Sequence, residues 1–221
     1  MTDPGTDLAE LRRDVEGATA AHRRLEQRVA SLTDADLRRP SLLPGWTVGH
    51  VLAHLARNAD SHVRMLDAGG RGEVAEQYVG GAEGRAAEIE RDAGRDAATA
   101  VADVVATNAR LEAAWGTTPD EAWTGEGMSV MGRVPLADLP FRRWRETEIH
   151  HADLGLGYTA DDWPSAYVRL ELVRMERLWA SRRPMGLTAL PAEALAVAPA
   201  QRLWWLVGRG AIDGLAPAGI F

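Results

Sequence analysis

Cysteine and lysine are both missing from this 221-residue chain. Without cysteine the chain has neither disulfides nor a thiol nucleophile of its own. Without lysine it has no Schiff-base amine and no phosphate-loop lysine. All 25 basic residues are arginine, a bias that a GC-rich genome produces along with many alanines. No apolar run is long enough to span a bilayer. The first residues, Met1-Thr2-Asp3-Pro4-Gly5-Thr6-Asp7, lack the basic-then-apolar layout of a signal peptide. A net charge of -7 argues against nucleic acid. The expectation is a soluble, cytoplasmic protein without a membrane or nucleic-acid partner. With 46% hydrophobic residues, the chain can build a sizeable core.

What is present is mostly helical periodicity. Leu8, Leu11, Val15, Ala18, Leu25 and Val29 form a three-to-four-spaced stripe over residues 7–32. Thr47 is a plausible cap for a second helix running to about Leu66, with Val51, Leu52 and Leu55 inward. A third long helix is expected over 82–115, with Ile89, Val101, Val104, Val105 and Leu111 inward and Gly94 a mild weak point. Glycines and Pro135 in 124–135 suggest a loop or short hairpin, and a fourth helix follows over 137–154, stopped by Gly155-Leu156-Gly157. Four helices of comparable length are the signature of a bundle. A fifth helix is expected over 164–181, short strands at 187–190 and 194–197, and a last helix over 200–207. The chain thus divides into a helical bundle, 1–157, and a small α/β segment, 158–221, too short for an independent core and expected to pack on the bundle.

Chemistry concentrates in two stretches. His50 and His54 are four apart on one helix, and Glu146 and His150 four apart on another, so each pair shares a helix face. Two imidazoles and one carboxylate from facing helices make a three-ligand metal set with a vacant position, which suits a catalytic metal. Spacing alone leaves alternatives. Either His50 or His54 can be the inward ligand, with His54 deeper in the apolar run. Glu148 and His151 form a competing pair, and helical ion pairs explain such spacings better than a metal does. His62, two turns beyond His54, could line the same cavity, whereas His22 reads as plain surface. Arg142, Arg143, Arg145 and Arg209 form a second constellation of potential carboxylate clamps, the bland reading being that arginine fills every basic role here. Trp204-Trp205 reads as core packing or interface.

The stretch from Leu43-Pro44-Gly45-Trp46-Thr47-Val48-Gly49-His50 through Val51-Leu52-Ala53-His54-Leu55-Ala56-Arg57-Asn58, taken with Arg145-Glu146-Thr147-Glu148-Ile149-His150-His151-Ala152-Asp153-Leu154-Gly155, resembles the mycothiol-dependent maleylpyruvate isomerases of the DinB-like metal-binding four-helix-bundle superfamily. The likeness runs over about residues 5–157, and Trp205-Leu206-Val207-Gly208-Arg209-Gly210 is similar to that family's C-terminal ending. The resemblance implies a mainly α, DinB-like bundle holding zinc, or another divalent metal, on His54, Glu146 and His150. It places a functional arginine at Arg85, by a loose match, and a second at Arg209. Both would bind substrate carboxylates and stabilise developing enolate charge. The segment between the fifth helix and Arg209 is shorter than the small α/β domain usual in these isomerases.

The implied reaction fits the missing thiol: mycothiol, a low-molecular-weight cosubstrate, supplies the nucleophile for maleylpyruvate-to-fumarylpyruvate isomerisation. Actinobacteria, whose genomes favour arginine and alanine, make this thiol. Two other readings are a mycothiol S-transferase acting on an electrophile and a metal-binding bundle without turnover. The protein is expected as a monomer or homodimer.

Overall fold

The computed structural model describes residues 4–182 and 188–219. The chain forms two compact units, 1–156 and 157–221. The first unit is built on α1 (Pro4–Val29), the single-turn α2 (Asp34–Leu37), α3 (Val48–Gly69), α4 (Gly81–Ala93), α5 (Ala97–Thr117) and α6 (Leu139–Asp153), with a hairpin of β1 (Glu126–Ser129) and β2 (Gly132–Pro135) before α6. The strands pair antiparallel, Glu126 opposite Pro135, so the stretch expected as a loop or short hairpin is a hairpin. Helices α1, α3, α5 and α6 form the bundle: α3 packs on α5 and α6, and α1 on α6 and α5. Leu25, Val29, Val48, Val51, Leu52, Leu55 and Val104 fill one end of its core. Leu8 and Val105, expected to face inward, are exposed.

The third long helix anticipated over 82–115 is two helices. Gly94 caps α4, and the Asp96 carboxylate accepts the Thr99 amide at 2.9 Å to start α5. Asp34 of α2 accepts the Ala97 amide at 2.8 Å. A glycine followed two residues later by a capping aspartate favours restart over continuation, because both residues are poor in helix interiors and good at helix ends. The break leaves α4 packed against α3.

The middle of the bundle is polar. Arg143 of α6 is fully buried, and each of its nitrogens donates to an uncharged group. Nε donates to His22 Nε2 at 2.9 Å, Nη1 to the Leu55 carbonyl and Asn58 Oδ1 at 2.8 Å each, and Nη2 to Asn108 Oδ1 at 2.7 Å. Behind these partners stand carboxylates: His22 Nδ1 donates to Glu112 at 2.8 Å, and Asn108 Nδ2 to Glu26 at 2.8 Å. All four bundle helices therefore contribute to one cage. His22, read from the sequence as surface, has no exposed area and stacks on Trp115, with ring centroids 5.9 Å apart. Its partners come from other helices, so nothing near it in sequence announced them. Arg143, read as a carboxylate clamp, has its donors occupied inside the cage.

The second unit contains α7 (Ser165–Ser181), α8 (Ala192–Ala196) and α9 (Pro199–Leu206). Its interior is aromatic: Trp163 meets Tyr167 and Trp204 edge-on at 5.5 Å each, and Trp179 lies 5.0 Å from Trp205. The short strands expected here are not found: 192–196 is helical, 188–190 has no regular structure, and Leu187 lies outside the described residues. Pro191 begins the α8 turn, and a run of alanine and leucine that short is ambiguous between strand and helix.

Two outcomes test the interior of the first unit. A Cβ at Gly17 would lie 2.3 Å from the Trp144 ring, and that ring is held by its Nε1 donating to Glu148 at 2.9 Å. Gly17→Ala should lower stability by about 1–3 kcal/mol in urea unfolding; an unchanged midpoint would refute the close α1–α6 packing. For His22, burial lowers the pKa from 6.5 to about 4. The unfolded chain binds the extra proton between these values, so stability rises with pH across that window. Acidification from 6.5 to 4 should cost up to about 3 kcal/mol at this one site, a loss that His22→Gln removes. Identical pH–stability slopes in the two proteins would contradict a buried, neutral His22.

Candidate metal centre

The metal-ligating candidates come together where α3 and α6 face each other. His54 Nε2 lies 2.8 Å from Glu146 Oε2, and His150 Nε2 lies 3.5 Å from the same oxygen. The two imidazoles meet edge-on with centroids 4.5 Å apart. Among the described residues, these three are the group whose donor atoms all lie within 4.8 Å of one another. His54 is buried, while Glu146 keeps 30% of its side-chain surface accessible.

Local sequence decides which histidine faces inward. Thr47 caps α3, and His50 folds back to accept the Thr47 amide on Nδ1 at 3.2 Å, with Nε2 3.3 Å from Glu90. His50 is thereby committed to the helix start, and His54, one turn later, takes the inward place. The competing pair on α6 is also occupied elsewhere: Glu148 is buried and accepts from Arg24 and Trp144. His151 is buried and outside the donor cluster. His62 is buried too, its Nδ1 has no hydrogen-bond partner, and burial lowers its pKa to about 3.

The electrostatics suit a cation. Burial, helped by the neighbouring His150, lowers the pKa of His54 to about 4, leaving a neutral imidazole. Burial acts to raise Glu146, but its contacts with His150 and His54 outweigh that and hold it well below the usual carboxylate range. Burial acts to lower His150, and Asp153 and Glu146 overcome it and raise its pKa. His150 Nδ1 stands 2.9 Å from Asp153 Oδ2, an electrostatic contact without hydrogen-bond alignment. A negative charge behind an imidazole strengthens the opposite nitrogen as a donor. Asp153, which the spacing argument passed over, is three residues from His150 and was open to discovery by that criterion. One anionic oxygen shared by two imidazoles, with a carboxylate behind one, fits a divalent cation that accepts nitrogen and oxygen.

Arg85 stands beside the cluster, its Nη2 3.2 Å from His54 Nδ1. Its guanidinium lies 5.9 Å from the ring centroids of both Trp46 and Tyr78. Trp46 is placed by the Leu43–Trp46 turn, where Gly45 adopts φ +78° and the Trp46 amide donates to the Leu43 carbonyl at 3.1 Å. Tyr78 follows a segment pinned to the hairpin, Gln77 N donating to Met128 O at 2.7 Å and Met128 N to Ala75 O at 3.0 Å. Burial raises the pKa of the Tyr78 hydroxyl, against opposing contacts from Asn58 and Ser61. Neither aromatic was singled out from the sequence, because their meeting around Arg85 depends on a loop and a hairpin from different parts of the chain. Arg209 belongs to the second unit, on the turn after α9, where Gly208 has φ +75°.

Residues 18–155 match the mycothiol maleylpyruvate isomerase N-terminal domain family. Among solved structures, a mycothiol-dependent maleylpyruvate isomerase is 26% identical, with a TM-score of 0.81 over 90% of both chains. A histidine-to-alanine mutant of a mycothiol-dependent maleylpyruvate isomerase gives 25% and 0.80, again over 90% of both. That coverage exceeds the first unit and reaches into the second. YfiT from Bacillus subtilis, described as a probable metal-dependent hydrolase with an unusual four-helix bundle topology, shares the fold at 18% identity and TM-score 0.55, over 70% of this chain and 87% of its own. No curated protein matches. The helical bundle is DinB-like, and no helix among the described residues is long and apolar enough to cross a membrane. With more than half its length matched, the chain belongs to the mycothiol maleylpyruvate isomerase family.

Proposed function

We propose that this protein is a metal-dependent, mycothiol-using isomerase that converts maleylpyruvate to fumarylpyruvate, with His54, Glu146 and His150 as metal ligands. The observation that carries this reading is the convergence of those three donors in a chain with no cysteine. A divalent cation such as zinc, when bound, lowers the pKa of a coordinated thiol and keeps it as thiolate at neutral pH. The thiol must come from the cosubstrate, because the protein has none.

The chemistry balances without a redox partner. The mycothiol thiolate adds to one carbon of the cis double bond, and the electron pair moves onto the conjugated carbonyl as an enolate. The former double bond is now single and rotates. Return of the pair expels the thiolate and leaves the trans isomer, with the thiol regenerated. Arg85 supplies a fixed cation for a substrate carboxylate or the enolate oxygen, and a guanidinium keeps its charge throughout. Trp46 and Tyr78 flank that cation and limit its movement. Arg209 is proposed as a second carboxylate clamp on the strength of the family likeness. Its chain neighbours Gly208 and Gly210 permit the tight turn that carries it.

His54→Ala and Glu146→Ala should each abolish stoichiometric zinc in the purified protein, measured by elemental analysis. Full zinc in either variant would disprove the ligand assignment. The wild-type protein with zinc and mycothiol should isomerise maleylpyruvate, followed by ultraviolet absorbance, and Arg85→Ala should lower kcat/KM by about 10²-fold. Loss of free thiol with monochlorobimane, in the absence of isomerisation, would replace the isomerase reading with an S-transferase. A zinc-raised melting temperature with no thiol-dependent turnover would replace both with a non-catalytic bundle.

A further inference from the structure

We propose that Arg143 is a positioning residue for the metal centre: its guanidinium clamps α6 to α3 beside His54 and so holds the three donors in register. The proposal rests on the metal-binding reading above and goes beyond it.

The geometry is specific. Glu146 and His150 lie three and seven residues beyond Arg143 on α6, on the same helix as the clamp. Nη1 of Arg143 donates to the carbonyl of Leu55, the residue after His54, and to Asn58, one turn further on. Residue 143 thus faces 55–58, and residues 146 and 150 face 54, so the two helices run antiparallel with the clamp directly behind the donors. Any slide of α6 along α3 breaks both Nη1 bonds. Apolar contacts are non-directional and tolerate a slide of that kind. A planar guanidinium with donors in a fixed fork does not. A metal site needs its donors held to within about half an ångström, which makes the directional constraint useful there.

Stability alone does not call for this residue. Burying a cation among uncharged partners is unfavourable, and a well-packed apolar side chain of similar volume serves a core at least as well. The partners divide by helix: Asn58 and Leu55 are on α3 with His54, whereas Asn108 is on α5 and His22 on α1, helices that carry no metal donor. A single buried cation therefore ties the helix of Glu146 and His150 to the helix of His54.

The asymmetry supplies the test. Asn58→Ala and Asn108→Ala each remove one partner of the same guanidinium, so both should lower the melting temperature of the metal-free protein. Zinc affinity, measured by competition with a chelator, should fall about 10–100-fold in Asn58→Ala and stay within about twofold of wild type in Asn108→Ala. The visible spectrum of the cobalt-loaded protein should change in Asn58→Ala and not in Asn108→Ala. Arg143→Lys, which keeps the charge and loses the fork, should resemble Asn58→Ala in both readouts. Equal zinc affinities and cobalt spectra in the two asparagine variants would overturn the positioning role, whatever their melting temperatures. Failure of the wild-type chain to bind zinc would instead remove the metal-binding reading and this proposal with it.

Discussion

Glu146 is a carboxylate drawn into protein between two imidazoles, and the structure around it is arranged to make that tolerable. Burial opposes its charge, and the contacts from His54 and His150 more than offset the opposition. His54 comes from α3 and His150 from α6, so the carboxylate is stabilised only if two helices separate in sequence meet in one register. The bundle provides the meeting, and directional bonds from Arg143 to α3 bear on its register.

The same constraint explains the polar middle of the bundle. An entirely hydrocarbon interior would pack α1, α3, α5 and α6 but leave their axial offsets weakly specified. The cage of His22, Asn58, Asn108 and Arg143 specifies them with hydrogen bonds from every guanidinium nitrogen. A buried polar network of this kind stabilises only when satisfied, and here the chain of partners runs outward until it reaches Glu112 and Glu26. Substitutions within it are therefore expected to act on neighbouring members and not singly.

Around the candidate metal centre, local structure does the remaining placement. The break at Gly94 separates α4 from α5, and α4 carries Arg85 against α3. The turn at Gly45 sets Trp46 over His54, and the hairpin anchors the segment that ends in Tyr78. Each device is short, and each acts on a residue that flanks the donors. Membership of the mycothiol maleylpyruvate isomerase family agrees with a site assembled by the bundle rather than by an insertion.

Much of this was legible in one dimension. The helical periodicities, the glycine-rich loop or hairpin of 124–135 and the four-residue spacings of His50/His54 and Glu146/His150 are local patterns, and local patterns survive being read along the chain. Lack of cysteine likewise settled, without any coordinates, that a thiol-dependent reaction would need an external thiol. Contacts between distant residues decided the rest. His54, and not His50, stands in the donor cluster, because the latter closes the helix start with Thr47 and Glu90. Glu146 and His150 stand in that cluster, while Arg24 and Trp144 claim Glu148. His22 and Arg143, one read as surface and the other as a potential carboxylate clamp or an ordinary basic residue, are buried because each is the other's partner across 121 residues of chain. Spacing along a helix specifies which side chains share a face; only packing specifies what that face meets.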